Sequence, residues 1–244
     1  MIDNIAVIDM SAHAISLSEG ARFNKIQNNF CENIGMFAIT IFSDGHHNII
    51  TNNVIENSSY GIVVDDATTG GESRPSDNNS ILNNVVLNSG MAIVVEGSNH
   101  NLVKDNYIYG SNFGLTGIDV WPGGYDGVSR PMGNGNVITG NKIIVKSQYG
   151  IRHIGKESII EDNVIIGPKY DGVFIRSIKD WDPETLDVNK NISIKNNKIF
   201  QVGRWGVRVE DCDTCQVVGN IFFDSAQGEE SISLYPMYGS GILN

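Results

Sequence analysis

Short apolar runs of two to four residues recur along this chain, each bounded by Asn, Gly, Ser or Asp. "HNIIT", "NVIEN" and "YGIVVD" follow one another within residues 47–65. The same order returns as "NNVVLNSGMAIVVEG" at 83–97 and "GNKIIVKSQYGIRHIG" at 140–155. The runs are β-branched and too short for the 3.6-residue period of a helix, so they predict strands separated by tight turns.

Asparagines that precede one of these runs set the repeat: Asn29, Asn53, Asn84, Asn106, Asn141, Asn163, Asn197 and Asn220. They are spaced by 24, 31, 22, 35, 22, 34 and 23 residues, a unit of 22–24 with three longer members. A repeat of this length marks a solenoid. Three strands in about 22 residues describe one coil of a parallel β-helix, with coils ~4.8 Å apart. Asn suits the turns because it tolerates the left-handed conformation, and stacked amides can bond from coil to coil.

These "NN-x-φ" repeats, running from about Asp9 to Tyr235, resemble those of the pectin-lyase-like right-handed parallel β-helix superfamily. The resemblance implies an all-β chain forming a single-stranded right-handed parallel β-helix of about eight coils, with 1–244 as one domain. Lyases, hydrolases, epimerases, phage tailspikes and non-enzymatic surface proteins share such repeats, so the resemblance speaks to fold more than to activity. A solenoid needs capped ends. Here the pattern starts near residue 9 and runs into the last line, which points to very short caps, a piece of a longer chain, or a neighbouring subunit over the ends.

Aligning the strand that follows the glycine of each unit separates two faces. In "GIVVD" (61–65), "AIVVE" (92–96), "GIDVW" (117–121), "GIRHI" (150–154), "GVFIR" (172–176) and "GVRVE" (206–210), the second and fourth columns point inward by alternation. The second is an apolar ladder including Ile62, Ile93, Ile118, Ile151 and Val173; the fourth is apolar except for His153, read as a satisfied core histidine. The third column points outward with Asp119, Arg152, Phe174 and Arg208, and the fifth with Asp65, Glu96, Trp121, Arg176, Glu210 and Tyr235. The position before the glycine adds Tyr60, Tyr149, Asp171 and Trp205. The other two strand sets read as having ordinary polar exteriors.

All three longer units carry their extra residues directly after this strand, in 66–78, 122–136 and 177–190. Insertions at one corner of alternate coils predict a wall beside the face, bearing Arg74, Tyr125, Arg130 and Trp181.

Net charge of −11 and a pI near 4.8 argue against nucleic acid or an anionic membrane as partner. No apolar stretch reaches the ~18 residues of a membrane span, and the opening "MIDNIAVIDMSAHAI" lacks the basic start and apolar core of a signal peptide. The expected partner is an extended polysaccharide, with a homotrimer as the candidate assembly and an extracellular, virion or cell-surface location. "CDTC" at 212–215 lacks the second half of a zinc site, so Cys212 and Cys215 read as small turn residues. His46, His47 and His100 read as turn residues, and no Gly-His-Gly signature of polygalacturonases is present.

Aromatic rings beside carboxylates and guanidiniums suit sugars: apolar sugar faces stack on Trp and Tyr, and Arg pairs with acidic groups. Trp121 is the expected stacking platform; Arg176, Asp171, Tyr60, Trp205, Arg208 and Glu210 are the other candidate binding residues. Asp119 lies one coil and two residues from Glu96, about 8 Å between α-carbons, a separation suited to an inverting glycosidase pair. Asp65 is one coil below Glu96, close enough to raise one of the two pKa values. Hydrolysis would then use Glu96 or Asp65 as proton donor and Asp119 to activate water, with both Asp119 and Glu96 facing solvent. The other readings of this acidic strip are a solvated surface or a weak Ca2+ site; no other cofactor is expected.

Elimination would draw on Tyr149 and Arg152; Arg152 also stacks directly beside Asp119, and its other reading is a plain salt bridge to that carboxylate. "YGIRHI" is partly similar to the Tyr-Gly-aliphatic-Asp-Pro-His motif of mannuronan C-5 epimerases and related lyases: Tyr149, Gly150 and Ile151 match, while Arg152, His153 and Ile154 replace its Asp, Pro and His. Hydrolysis is placed ahead of elimination, with a non-catalytic glycan-binding or structural module as the reading from another class.

Overall fold

The computed structural model describes residues 1–66, 74–110, 114, 116–123, 133–177, 179, 189–224 and the backbone strand Ile232–Tyr235. Its strands form three parallel nine-stranded sheets and one two-stranded pairing. Each turn of chain contributes one strand to each large sheet, as in Ile49–Thr51 (first), Val54–Glu56 (second) and Tyr60–Val64 (third). The architecture is the right-handed parallel β-helix. Nine strands per sheet exceed the eight expected coils because the first turn lacks the marker residue: Ile5 stands where later turns have Asn, and its N–H still bonds Asn29 Oδ1 at 3.0 Å.

The strands stay short because a three-residue strand sends one side chain inward. Ile26, Ile50, Ile81 and Val103 stack inside the first sheet, and Ile55, Val86, Ile108 and Ile143 inside the second. The five-residue third-sheet strands send two. Ile62, Ile93, Ile118, Ile151 and Val173 are paired in that order and have no solvent exposure, as the aligned column predicted.

The asparagine column is a continuous amide ladder. From Asn29 to Asn220, each side-chain N–H donates to the next amide oxygen at 2.9–3.0 Å. That oxygen also accepts the backbone N–H of the preceding asparagine. These asparagines are not the left-handed residues of the turn. The residue before each of them is: Asn28, Asn52, Asn83, Asp105, Gly140, Asp162, Asn196 and Gly219 all have φ of 54–67°. The doublet therefore divides the work, one residue turning the chain and the next satisfying buried backbone groups. A second ladder, through Asn24, Asn48, Asn79, Asn101 and Asn136, ends on Ser158.

The glycine that opens each third-sheet strand is a point of close approach. A Cβ on Gly150 would lie 2.4 Å from Ile165 Cγ2 and 2.6 Å from Gly172 O, and one on Gly172 would repeat the clash at Ile199 and Gly206.

Two sequence expectations change. Cys212 and Cys215 are joined in a disulfide and buried, so they are a covalent staple of the eighth turn rather than separate turn residues. The exterior of the second sheet is not polar: Phe30, Val85, Leu87, Tyr109, Ile166 and Phe200 all lie on it, half-buried or exposed. Period-two alternation places these positions outward, and most of the residues there are apolar or aromatic.

Candidate functional site

The third sheet holds the candidate face, and its register is that of the aligned columns: Val94 pairs with Asp119, Asp119 with Arg152, Glu96 with Trp121 and Tyr149 with Asp171. The three long connections all run from a third-sheet strand to the next first-sheet strand, so they leave at one corner. Residues 66 and 74 close the first of them through Arg74 N–H to Asp66 O at 3.1 Å. The bodies of the expected wall, with Tyr125, Arg130 and Trp181, lie outside the described residues.

The third column points outward, yet it is not exposed. Asp119 is 0% and Arg152 2% accessible, which corrects the expectation that Asp119 faces solvent. Arg152 Nε and Nη2 donate to the two Asp119 carboxylate oxygens at 2.8 and 2.5 Å. The Trp121 ring lies over the guanidinium, 5.1 Å from Cζ, and packs on buried Ile154. A fork-on-fork ion pair closed beneath an indole occupies the groups that water activation or substrate charge neutralisation would need. Asp119 and Arg152 are thus an internal pair packed against Trp121 rather than the solvent-facing groups expected.

Glu96 is different. It is half-buried at the edge of this face. Burial, and then the Asp65 carboxylate one rung away, push its carboxyl up to about 8; the Trp121 indole N–H acts the other way, and Asp66 and Asp119 add to the rise. Asp65 is also half-buried. Asp66, missed by the sequence reading although it adjoins Asp65, is buried where Gly97 and Gly123 let the backbone close over it; a Cβ on Gly123 would sit 2.3 Å from its Oδ1. Among the described residues no three His, Cys, Asp or Glu side chains are placed to hold a metal ion.

A second cluster lies two rungs on. Buried Asp171 accepts from Arg204 Nε and Nη2 at 2.9 and 2.7 Å. Arg204 lies over Trp205 and Tyr170, at 4.5 and 5.0 Å from the ring centres, and Arg208 over Phe174 at 4.8 Å. Arg208 also pairs with Glu210, which is buried, and Tyr149 packs against Phe174 with ring centres 5.0 Å apart. Asp171, Arg208 and Glu210 thus serve one another, while half-buried Trp205 and Tyr149 keep an accessible edge. Arg204, not singled out from sequence, organises the cluster. Tyr60 stands apart on earlier rungs, edge-on to Phe37 at 5.0 Å, and Arg176 is half-buried. For Tyr235 only the strand is described, paired at Glu210.

His153 points inward as alternation required, but neither ring nitrogen has a hydrogen-bond partner, which corrects the satisfied reading. Burial lowers it to about 3, so it remains neutral. His47 and His100 take left-handed φ of 56° and 55° in turns, and His46 Nε2 bonds Asp44 at 2.5 Å.

The stacked rungs, the single repeated register and the outward polar face define a solenoid of the β-helix class. The family described as "Right handed beta helix region" matches residues 1–126, and the chain belongs to it. No curated protein matches the chain in sequence. Among solved structures it is similar to the bacteriophage Phi29 gene product 12 N-terminal fragment, at 13% identity and TM-score 0.67, covering 96% of this chain and 41% of that one. It is similar to the catalytic domain of GH87 alpha-1,3-glucanase in complex with nigerose, at 17% identity and TM-score 0.62, covering 98% and 49%. A third likeness is bacteriophage CBA120 tailspike protein 3, at 13% identity and TM-score 0.57, covering 99% and 42%. The chain therefore spans less than half the length of each, and at these identities the likeness is one of fold.

Proposed function

We propose that this β-helix binds an extended polysaccharide along its third-sheet face and cleaves it by hydrolysis, with Glu96 as proton donor and Asp65 as the partner carboxylate. The observation that carries this reading is the half-buried Glu96 carboxyl, paired across the sheet with Trp121 and one rung from Asp65, a setting that pushes it up to about 8. A glycosidase acid must hold its proton near neutrality while a neighbouring carboxylate stays charged, and burial with a like-charged neighbour achieves that. Trp121 and Tyr149 stand on adjacent rungs and Trp205 two rungs further on, a spread along the sheet matched to a polymer rather than a small molecule. The polysaccharide-active and phage-tail folds it resembles fit an extracellular or virion setting.

A non-catalytic glycan-binding module is the second reading. It is favoured by the closure of Asp119 on Arg152 and of Asp171 on Arg204, which takes both carboxylates out of chemistry.

Incubation with a panel of capsular, plant and microbial polysaccharides tests both. New reducing ends with no ultraviolet absorbance support hydrolysis. Absorbance of an unsaturated uronate would move the reading to elimination. Binding without either product supports the module.

A further inference from the structure

The exterior of the second sheet has no part in this proposal, and its composition is unusual for an exposed sheet. Its outward positions run down two columns, from Ala6 and Ile8 in the first rung to Ile221 and Phe223 in the last. All but four of them, Glu32, Glu56, Lys142 and Lys198, are apolar or aromatic. Tyr109 at the middle rung is 49% exposed. A soluble chain rarely leaves an apolar strip of this length uncovered.

The charges say what covers it. Glu32 and Glu56 occupy the second and third rungs, and Lys142 and Lys198 the sixth and eighth. The strip is acidic towards one end and basic towards the other. A parallel pair, or three chains about an axis along the helix, would set each rung beside its own copies and bring Glu against Glu and Lys against Lys. Reversing one copy about a two-fold axis through the Tyr107–Tyr109 rung does the opposite. Glu32 then reaches the height of Lys198 in the other copy, and Glu56 falls between the heights of Lys142 and Lys198. The area is sufficient. Eight steps of ~4.8 Å make the strip about 38 Å long; with its flanking turns about 20 Å wide, it offers on the order of 800 Å2 per copy, the share of a stable dimer.

We propose that a second copy of this chain docks on the second-sheet exterior, antiparallel, about a two-fold axis at the Tyr107–Tyr109 rung. The interface is isologous, with Leu87, Tyr109 and Ile144 at its centre, Lys142 beside Ile144, and Glu32, Glu56 and Lys198 towards its ends. The third-sheet face stays open on both copies.

Sedimentation equilibrium on the whole chain should give a two-chain mass. Leu87→Asp or Tyr109→Asp, both at outward positions, should weaken the pair by roughly tenfold or more with an unchanged circular dichroism spectrum. Glu32→Lys with Glu56→Lys should weaken it too, and adding Lys142→Glu with Lys198→Glu should restore it. A mixture of Glu56→Cys and Ile166→Cys chains should form a mixed disulfide. A monomer throughout the micromolar range, a three-chain mass, or a dimer indifferent to Leu87→Asp and Tyr109→Asp overturns the proposal. Preferred linkage of Glu56→Cys to itself overturns the antiparallel arrangement.

Discussion

Arg152 lies directly across the third sheet from Asp119 and holds both carboxylate oxygens, at 2.8 and 2.5 Å, with neither side chain open to solvent. Removing one partner leaves the other charge buried and uncompensated, a loss of about 3–5 kcal/mol in comparable pairs. Asp119→Asn and Arg152→Met should therefore each lower the urea midpoint strongly, while Asp119→Leu combined with Arg152→Met should recover most of the loss. Equal losses in single and double variants would show that the pair does not act as a unit.

Glu96→Gln should leave the urea midpoint close to the parent and lower turnover by ~10²–10⁴-fold, the usual range for a missing general acid. The parent's rate should fall as pH rises through about 8, where Glu96 loses its proton. Asp65→Asn should also lower the rate strongly, and because Asp65 raises Glu96 the alkaline limb of the residual activity should move to lower pH. A limb that stays in place when Asp65 is neutralised separates Glu96 from the pH profile.

The amide ladder should be cooperative. Asn141→Ala deprives Asn106 of the acceptor for both its side-chain and backbone N–H and removes the donor to Asn163. Unsatisfied buried groups cost about 1–3 kcal/mol each, so a loss on the order of 3 kcal/mol is expected in thermal unfolding. Asn220→Ala, at the last and partly buried rung, should cost less.

His153 is neutral in the fold at about 3 and would ionise near 6.5 when unfolded. The unfolded chain thus binds the extra proton between these values. The contribution to stability is complete above 6.5 and is lost as pH falls towards 3. His153→Leu should remove this acid sensitivity, so that the gain in stability over the parent grows as pH is lowered from 7 to 4. A constant difference across that range would place the acid sensitivity elsewhere.

The sequence by itself determined the fold. Asparagine spacing, β-branched triplets and the glycine before each long strand fixed the strands, the coil period and the register. Those features are local and repeat in every turn, and stacking turns multiplies one local preference into a single global answer. Alternation also placed Ile62, Ile118 and His153 inside correctly. Direction is not exposure, however. Asp119 and Arg152 do point away from the core, and their adjacent rungs already allow a salt bridge; only the packing of Trp121 over the guanidinium decided that the pair is buried. The same holds for Asp171, whose partner Arg204 lies 33 residues on in a turn rather than in an aligned column. Glu96 was legible as a carboxyl near Asp65, but the height of its pKa follows from desolvation, which depends on every neighbour at once and is written in no single column of the repeat.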